Sequence, residues 1–236
     1  MDCRTDHGRS IKRIGAAECV HCPVRERGLL GQADANGMMA IRANVDILRF
    51  PVRTRIYAEK SAGEYVYSIR SGLVKLEQQS GDGRARIVRL ATPGTTLGLE
   101  LLFGASYRHT ALVLHSTDLC RIPVRLLRTL RDDQKELCDS VLRHMQQNID
   151  AADFEITQLS TGTAQARIAR LLLHLSADNA TDARQWIMRE DIAGLLGVTL
   201  ETVSRTISDM KRRGLITEEQ HHFVFDRPEL ERIANC

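Results

Sequence analysis

Apolar positions along this chain fall into three regimes. From residue 45 to 125 they come in short blocks between turn residues. Tyr65-Val66-Tyr67-Ser68-Ile69 is followed by Ser71-Gly72, then by Leu73-Val74-Lys75-Leu76-Glu77. Ser80-Gly81-Asp82-Gly83 reads as a hairpin turn, residues 84–90 alternate basic with apolar, and Pro93-Gly94 is a further turn. Residues 110–114 and 119–122 read as two more strands. Short strands at this spacing, with glycine-marked corners, predict an antiparallel β-roll or jelly roll.

From residue 133 to 160 the period becomes helical. Leu137, Val141, Met145, Asn148, Ala152, Ile156 and Leu159 step by four or three and make one stripe on a long helix. A helix with such a stripe must bury it, against its own β domain or against the same helix of a second chain. Asn148 could fix the register of such a pair at some cost in stability. The stripe holds no acidic residue that would oppose pairing.

The third regime, 188–214, reads as two short helices and a tight turn. Ile192, Ala193, Leu195 and Leu196 give the first helix its apolar positions, and Gly197 breaks the pattern. The Thr199 hydroxyl is placed to cap the next helix. That helix closes at Gly214 after Lys211, Arg212 and Arg213, basic residues that suit a negative helix end. At about 100° per residue, Val203, Ile207 and Met210 share one side. Glu201, Ser204, Arg205 and Ser208 share the other, short and polar near the N-terminal end, as in a helix that meets base edges. Arg can fork onto guanine O6 and N7, Glu can accept from cytosine N4, and Ser adapts to either. Thr199 and Thr202 belong to the same surface. A solvated face with a chance Glu/Arg pair is the plain alternative.

Around these regimes, residues 165–175 form a supporting amphipathic helix. Leu215-Ile216-Thr217 and His222-Phe223-Val224-Phe225 flank a polar turn, a small β-wing with His221 and His222 at its tip. The expected fold is α+β: a cysteine-containing segment (1–36), a β-roll sensor domain (37–132), a dimerisation helix (133–160) and a winged helix-turn-helix (161–236).

Composition adds limits. The chain has 236 residues and a net charge of +3, so no global basic field announces nucleic acid. Residues 201–213 nevertheless carry four basic against two acidic side chains, a modest phosphate-facing excess. No apolar run is long enough to span a membrane, and the first residues, MDCRTDHGRSIKR, lack the apolar core of a signal peptide. Both predict a cytoplasmic protein with no membrane partner. Its six cysteines then point to free thiols, metal or redox chemistry rather than to a disulfide framework. Residues 1–36 are polar, carry a CxxC at Cys19 and Cys22, and predict little regular structure without a metal or partner. A thiol oxidoreductase would set its CxxC in a βαβ unit, and neither a Gly-rich phosphate loop nor an HExxH is present. The expectation is therefore not an enzyme.

The stretch VTLETVSR, with Glu201, Ser204 and Arg205, resembles the recognition helix of the Crp/Fnr superfamily of bacterial transcription regulators, Fnr/FixK-like branch. There a Glu-x-x-Ser-Arg pattern reads TTGAT-like half-sites. The cyclic-AMP-binding branch has Arg before the Glu and Gly in the Ser position, where this chain has Leu200 and Ser204. The β-roll resembles the cyclic-nucleotide-binding-like sensor domain of the same superfamily, and the two resemblances cover most of the chain. They imply a homodimer on double-stranded DNA, two recognition helices about one DNA turn apart, a near-palindromic site, and RNA polymerase as a partner.

The resemblance also frames the signal. Members that bind cyclic nucleotides carry Gly-Glu on the roll and an Arg about ten residues on. Here Leu99 stands at the Glu and His109 at the Arg, so a cyclic nucleotide is not expected unless a gap restores Arg108. Fnr-type oxygen sensors hold a 4Fe-4S cluster with three N-terminal cysteines and one on the roll. STDLCRIP with Cys120 and ECVHCPVRER with Cys19 and Cys22 resemble those segments. A third N-terminal cysteine would fall at Gly28 or Leu30, and none does. Cys3 could fold back as the fourth ligand, or His21, His7 or a carboxylate could substitute. A relic site, a dithiol switch, a zinc site and a regulator without cofactor, set by its own abundance, all remain open. Cys138 reads as a core residue and Cys236 as incidental.

Overall fold

The computed structural model describes residues 10–16, 22, 24–31, 33–81, 83, 85–133, 135–176, 187–219 and 222–235. These form two compact units, one of residues up to Gln78 with Leu90–Ile149, the other of Gln79–Arg89 with residues from Asp150 onward.

The sheet follows the order β1 (Lys12–Ala16), β2 (Asp46–Phe50), β7 (Thr110–Pro123), β4 (Tyr65–Gln79) and β5 (Ala85–Ala91), with β3 (Arg55–Tyr57) on β7 and β6 (Thr96–Leu97) on β4. The pairs β1–β2, β2–β7, β3–β7, β4–β6 and β4–β7 are antiparallel, as the block pattern predicts. Two expectations need correction. Residues 65–69 and 73–77 are one strand, and so are 110–114 and 119–122. What reads as a Ser71-Gly72 turn is a set of register shifts where β4 crosses β7. Gly72 has φ +95°, and a Cβ there would lie 2.4 Å from Thr117 Oγ1. Glycine permits that close crossing and lets the strand bend without ending.

The N-terminal segment is more regular than its polarity suggests. β1 pairs with β2, and Arg13 Nε reaches Asp46 Oδ1 at 2.6 Å while Arg121 Nη2 reaches Asp46 Oδ2 at 2.7 Å. Burial pushes the Asp46 pKa up, but the hydrogen bonds and charges of Arg121 and Arg13 together hold it below its ordinary value. A 3₁₀ turn follows at Arg25–Arg27, then α1 (Ala35–Asn44), capped by the Asp34 carboxylate accepting from Gly37 N at 2.7 Å.

The helical stretch read as 133–160 is two elements, preceded by a further helix. α2 (Val124–Asp133) buries Leu127 and Leu130. α3 (Lys135–Phe154) follows and ends in a π-helical turn, Glu155–Leu159. The division between the two units falls within α3.

The second unit contains α4 (Ala164–Ser176), α5 (Arg189–Leu196), α6 (Leu200–Arg212), the wing strands β8 (Ile216–Glu219) and β9 (His222–Phe225), and α7 (Arg227–Ala234). Its core includes Ile168, Leu171, Leu196, Val203, Ile207, Met210 and Leu230. α7 has no counterpart in the sequence reading. Its start is nevertheless written as Asp226-Arg227-Pro228-Glu229: Asp226 Oδ1 accepts from Glu229 N at 3.2 Å, and Pro stands in the first turn. Among the described residues no helix is long and apolar enough to cross a membrane.

Candidate functional site

The α5–α6 pair is built by local chemistry. Gly197 ends α5 in the left-handed region (φ 62°, ψ 38°), and its N–H donates to the Ala193 carbonyl. That turn lets the chain reverse within three residues, so Thr199 caps α6. Thr199 Oγ1 accepts from Thr202 N at 3.1 Å and lies 2.8 Å from Thr202 Oγ1. Arg167 Nη1 donates to the Leu196 carbonyl at 2.8 Å, which satisfies an open acceptor at the end of α5. At the far end of α6, Leu215 N donates to the Met210 carbonyl at 3.0 Å past Gly214 (φ 74°).

α6 divides cleanly. Val203, Ile207 and Met210 are each 0% exposed. Glu201, Arg205 and Ser208 are exposed, and Thr202 and Ser204 are half-buried. Glu201 and Arg205 sit one turn apart and have no ion pair or hydrogen bond of their side chains among the described residues. An internally paired Arg would have to give up its partner to bind a base; this one does not. The basic run beyond is different. Arg213 lies 3.7 Å from both Asp209 and Glu229, and Arg212 pairs with Asp209. The hydrogen bond from Arg232 holds the Glu229 carboxyl below its usual range. Part of the positive charge anticipated there is thus already neutralised.

The first unit holds a second feature. Cys22 and Cys120, 98 positions apart in sequence, line one cavity of about 30 Å³ with Val24, Gly28, Leu29, Leu30, Ser68 and Arg70. Cys120 is buried on β7, paired with Ser68 of β4 on one side and Ile47 of β2 on the other. Cys22 is half-buried, and its carbonyl accepts from Arg25 N at 3.1 Å. Gly28 and Leu30, where a third N-terminal cysteine would fall, are themselves in the wall. Cys3, Cys19, His7 and His21 lie outside the described residues, as does His221. Among the described residues no group of three or more His, Cys, Asp or Glu is arranged to hold a metal ion. The wall supplies two thiols, has no donor at the third position, and is otherwise mostly apolar. Among the described residues it therefore supplies two of the four thiolates that a 4Fe-4S cluster takes.

On the roll, Leu99 is buried in the turn Leu99–Leu102, and Glu100 Oε1 accepts from Arg108 N at 3.0 Å. The Glu100 carboxylate is therefore engaged by the chain itself.

The stripe on α3 splits. Leu137 and Val141, and Leu159 beyond them, are buried within the chain; Met145, Asn148 and Ala152 are half-buried; Ile156 is 65% exposed. Leu142 (58%) and Ile149 (55%) are exposed as well. Leu142, Ile149 and Ile156 are seven apart, and Met145 and Ala152 fall three after the first two, which is heptad spacing. Cys138 is half-buried rather than in the core.

Comparison with known proteins agrees with this architecture. Residues 47–134 match the cyclic nucleotide-binding domain and residues 166–233 the Crp-like helix-turn-helix domain. The chain is 28% identical to the nitrogen fixation regulation protein FixK of Azorhizobium caulinodans over 88% of its own length and 86% of that protein. It is 31% identical to the transcriptional activator protein Anr of Pseudomonas aeruginosa over 72% of each. The solved structure of FixK2 from Bradyrhizobium japonicum superposes with a TM-score of 0.68 at 26% identity, covering 80% of this chain and 96% of that one.

Proposed function

This chain belongs to the Crp/Fnr family of transcription regulators, and we propose that it works as a homodimer reading TTGAT-like palindromic half-sites in double-stranded DNA. The observation that carries this reading is the outer face of α6. Arg205 and Glu201 stand exposed and uncommitted, one turn apart, opposite a fully buried seam. In the major groove Arg205 forks onto a guanine, Glu201 accepts from a cytosine amine, and Ser204 takes an adjacent base edge. Thr199 and Thr202 hold the N-terminal turn in place through their mutual contact. Two such helices, set by a two-fold axis, read two half-sites about one DNA turn apart. Leu142, Met145, Ile149, Ala152 and Ile156 supply the pairing seam. The output passes to RNA polymerase.

The response assigned to the Cys22/Cys120 cavity is redox. A change in the state of its thiols shifts the packing of the segment around it, and through it the pose of α3. DNA affinity then follows by linkage between two states of the dimer. Because the donor set falls short at Gly28 and Leu30, no step runs through a cluster; control by the thiols themselves suits the cavity better.

Replacing Arg205 by Ala tests the reading of α6. Specific affinity for a TTGAT palindrome is expected to fall while the dimer stays intact; unchanged specific binding would overturn it. Anaerobic purification with iron and acid-labile sulfide assays tests the second part. A colourless protein whose DNA affinity changes between reduced and oxidised thiols is expected. About four irons per chain, bleached by air, would restore the cluster.

A further inference from the structure

The cysteine cavity and the pairing helix meet at one buried polar contact. Ser140, on α3, is 2% exposed, and its Oγ donates to the Leu29 carbonyl at 3.0 Å. Leu29 is 0% exposed and lines the Cys22/Cys120 cavity. A serine buried in a helix needs a reason, because Ala would fill the same space without a hydroxyl to satisfy. Here the hydroxyl reaches off the helix to a loop carbonyl 111 positions away in sequence.

The described part of that loop is tied together by its own backbone hydrogen bonds. The Cys22 carbonyl accepts from Arg25 N, that of Val24 from Arg27 N, that of Arg25 from Gly28 N, and that of Gly28 from Gly31 N, at 3.1–3.3 Å. A Cβ on Gly31 would lie 1.9 Å from the Arg25 carbonyl oxygen, and one on Gly28 3.0 Å from that of Val24. These bonds and close approaches link the Cys22 carbonyl to the segment that carries Leu29. One turn beyond Ser140, His144 is 4% exposed, with Nδ1 2.9 Å from the Ser140 carbonyl. A carbonyl only accepts, so Nδ1 carries the proton and the polar track continues along α3. Leu142 and Met145, the first residues of the pairing seam, lie on this same stretch of helix.

We propose that Ser140 is the positioning residue that couples the cysteine cavity to dimerisation. This rests on the reading of α3 as the pairing helix and of the cavity as the sensor. The hydroxyl touches no signal molecule; it sets where the 24–31 segment sits on α3, and so how α3 presents its seam.

A double-mutant cycle on the full-length chain isolates the coupling. Gly28→Ala pushes a methyl into the loop at the cavity, and Ser140→Ala removes the link. Ala is a good helix former and smaller than Ser, so the second variant keeps its fold. The dimer dissociation constant is read by fluorescence-detected sedimentation for the wild type, both single variants and the double variant. Gly28→Ala is expected to shift it by about 5-fold or more when Ser140 is present, and by less than about 2-fold when it is absent. Ser140→Thr, which keeps the hydroxyl, should retain the full response, and amide exchange across 24–31 should quicken in Ser140→Ala. Equal shifts in both backgrounds, or no shift in either, would overturn the coupling role. A wild-type chain that stays monomeric would overturn the dimer reading itself, and the coupling with it.

Discussion

Helices α3 and α6 are both amphipathic, yet they spend their apolar faces differently. α6 buries Val203, Ile207 and Met210 completely and turns a polar face outward. α3 buries Leu137 and Val141 near its start and then leaves Leu142 and Ile149 more than half exposed. Ile156, in the turn beyond, continues the exposed row. Periodicity says that a face must be covered; it does not say by what. In α6 the cover comes from the chain itself, so the informative face is the polar one. In α3 the chain leaves Leu142 and Ile149 exposed, so the informative face is the apolar one.

Substitutions on the two helices should separate these roles. The largest effect on stability belongs to the covered face. Ile207→Ala should cost about 2–5 kcal/mol of unfolding free energy, because it empties a fully buried site; chemical denaturation followed by circular dichroism measures it. Ile149→Glu should barely change that curve, yet weaken dimerisation by ~100-fold or more, since each chain loses about 1.5–3 kcal/mol of apolar burial in a shared seam. If Ile149→Glu instead unfolds the chain, the contrast between the helices is gone. Arg205→Ala should cost about 1–3 kcal/mol of specific DNA affinity per half-site with stability and dimer unchanged, read by fluorescence anisotropy against a scrambled duplex. Thr199→Ala removes the α6 cap and should cost about 1 kcal/mol of stability.

The smallest effect tests the β1 anchor. The folded pKa of Asp46 lies below its ordinary 3.8, so its contribution is present above that value and lost as pH falls through the folded pKa. Asp46→Asn should destabilise by less than about 1 kcal/mol at neutral pH. The difference from wild type should shrink as pH falls below 3.8 and vanish only once pH is below the folded pKa.

Much of this was legible from side-chain pattern. The α5–α6 turn, its threonine cap and the polar face of α6 are written in a window of local chemistry, where each residue's role depends on neighbours within a turn. Long-range geometry was not legible in the same way. Ser71-Gly72 looks like a chain reversal, but Gly72 serves a crossing with Thr117, a contact no local rule contains. β1 is polar and owes its order to backbone pairing with β2 and to Asp46, far along the chain. The expected stripe on α3 ran through Leu137 and Val141, which are buried within the chain, because periodicity alone cannot tell which apolar residues the chain itself covers. The Cys22/Cys120 pairing followed from resemblance rather than from spacing. Ser140, a lone serine in an amphipathic helix, carries no sequence signal at all.

The most direct test of the division of labour between α6 and α3 is the stoichiometry and affinity of the reduced protein on two duplexes. One carries a TTGAT palindrome; the other has one half-site scrambled. Two chains per palindrome, and a loss of affinity of about 100-fold or more on scrambling either half, is the result expected of two recognition helices held by one seam. One chain per duplex, with equal affinity for both DNAs, would contradict it.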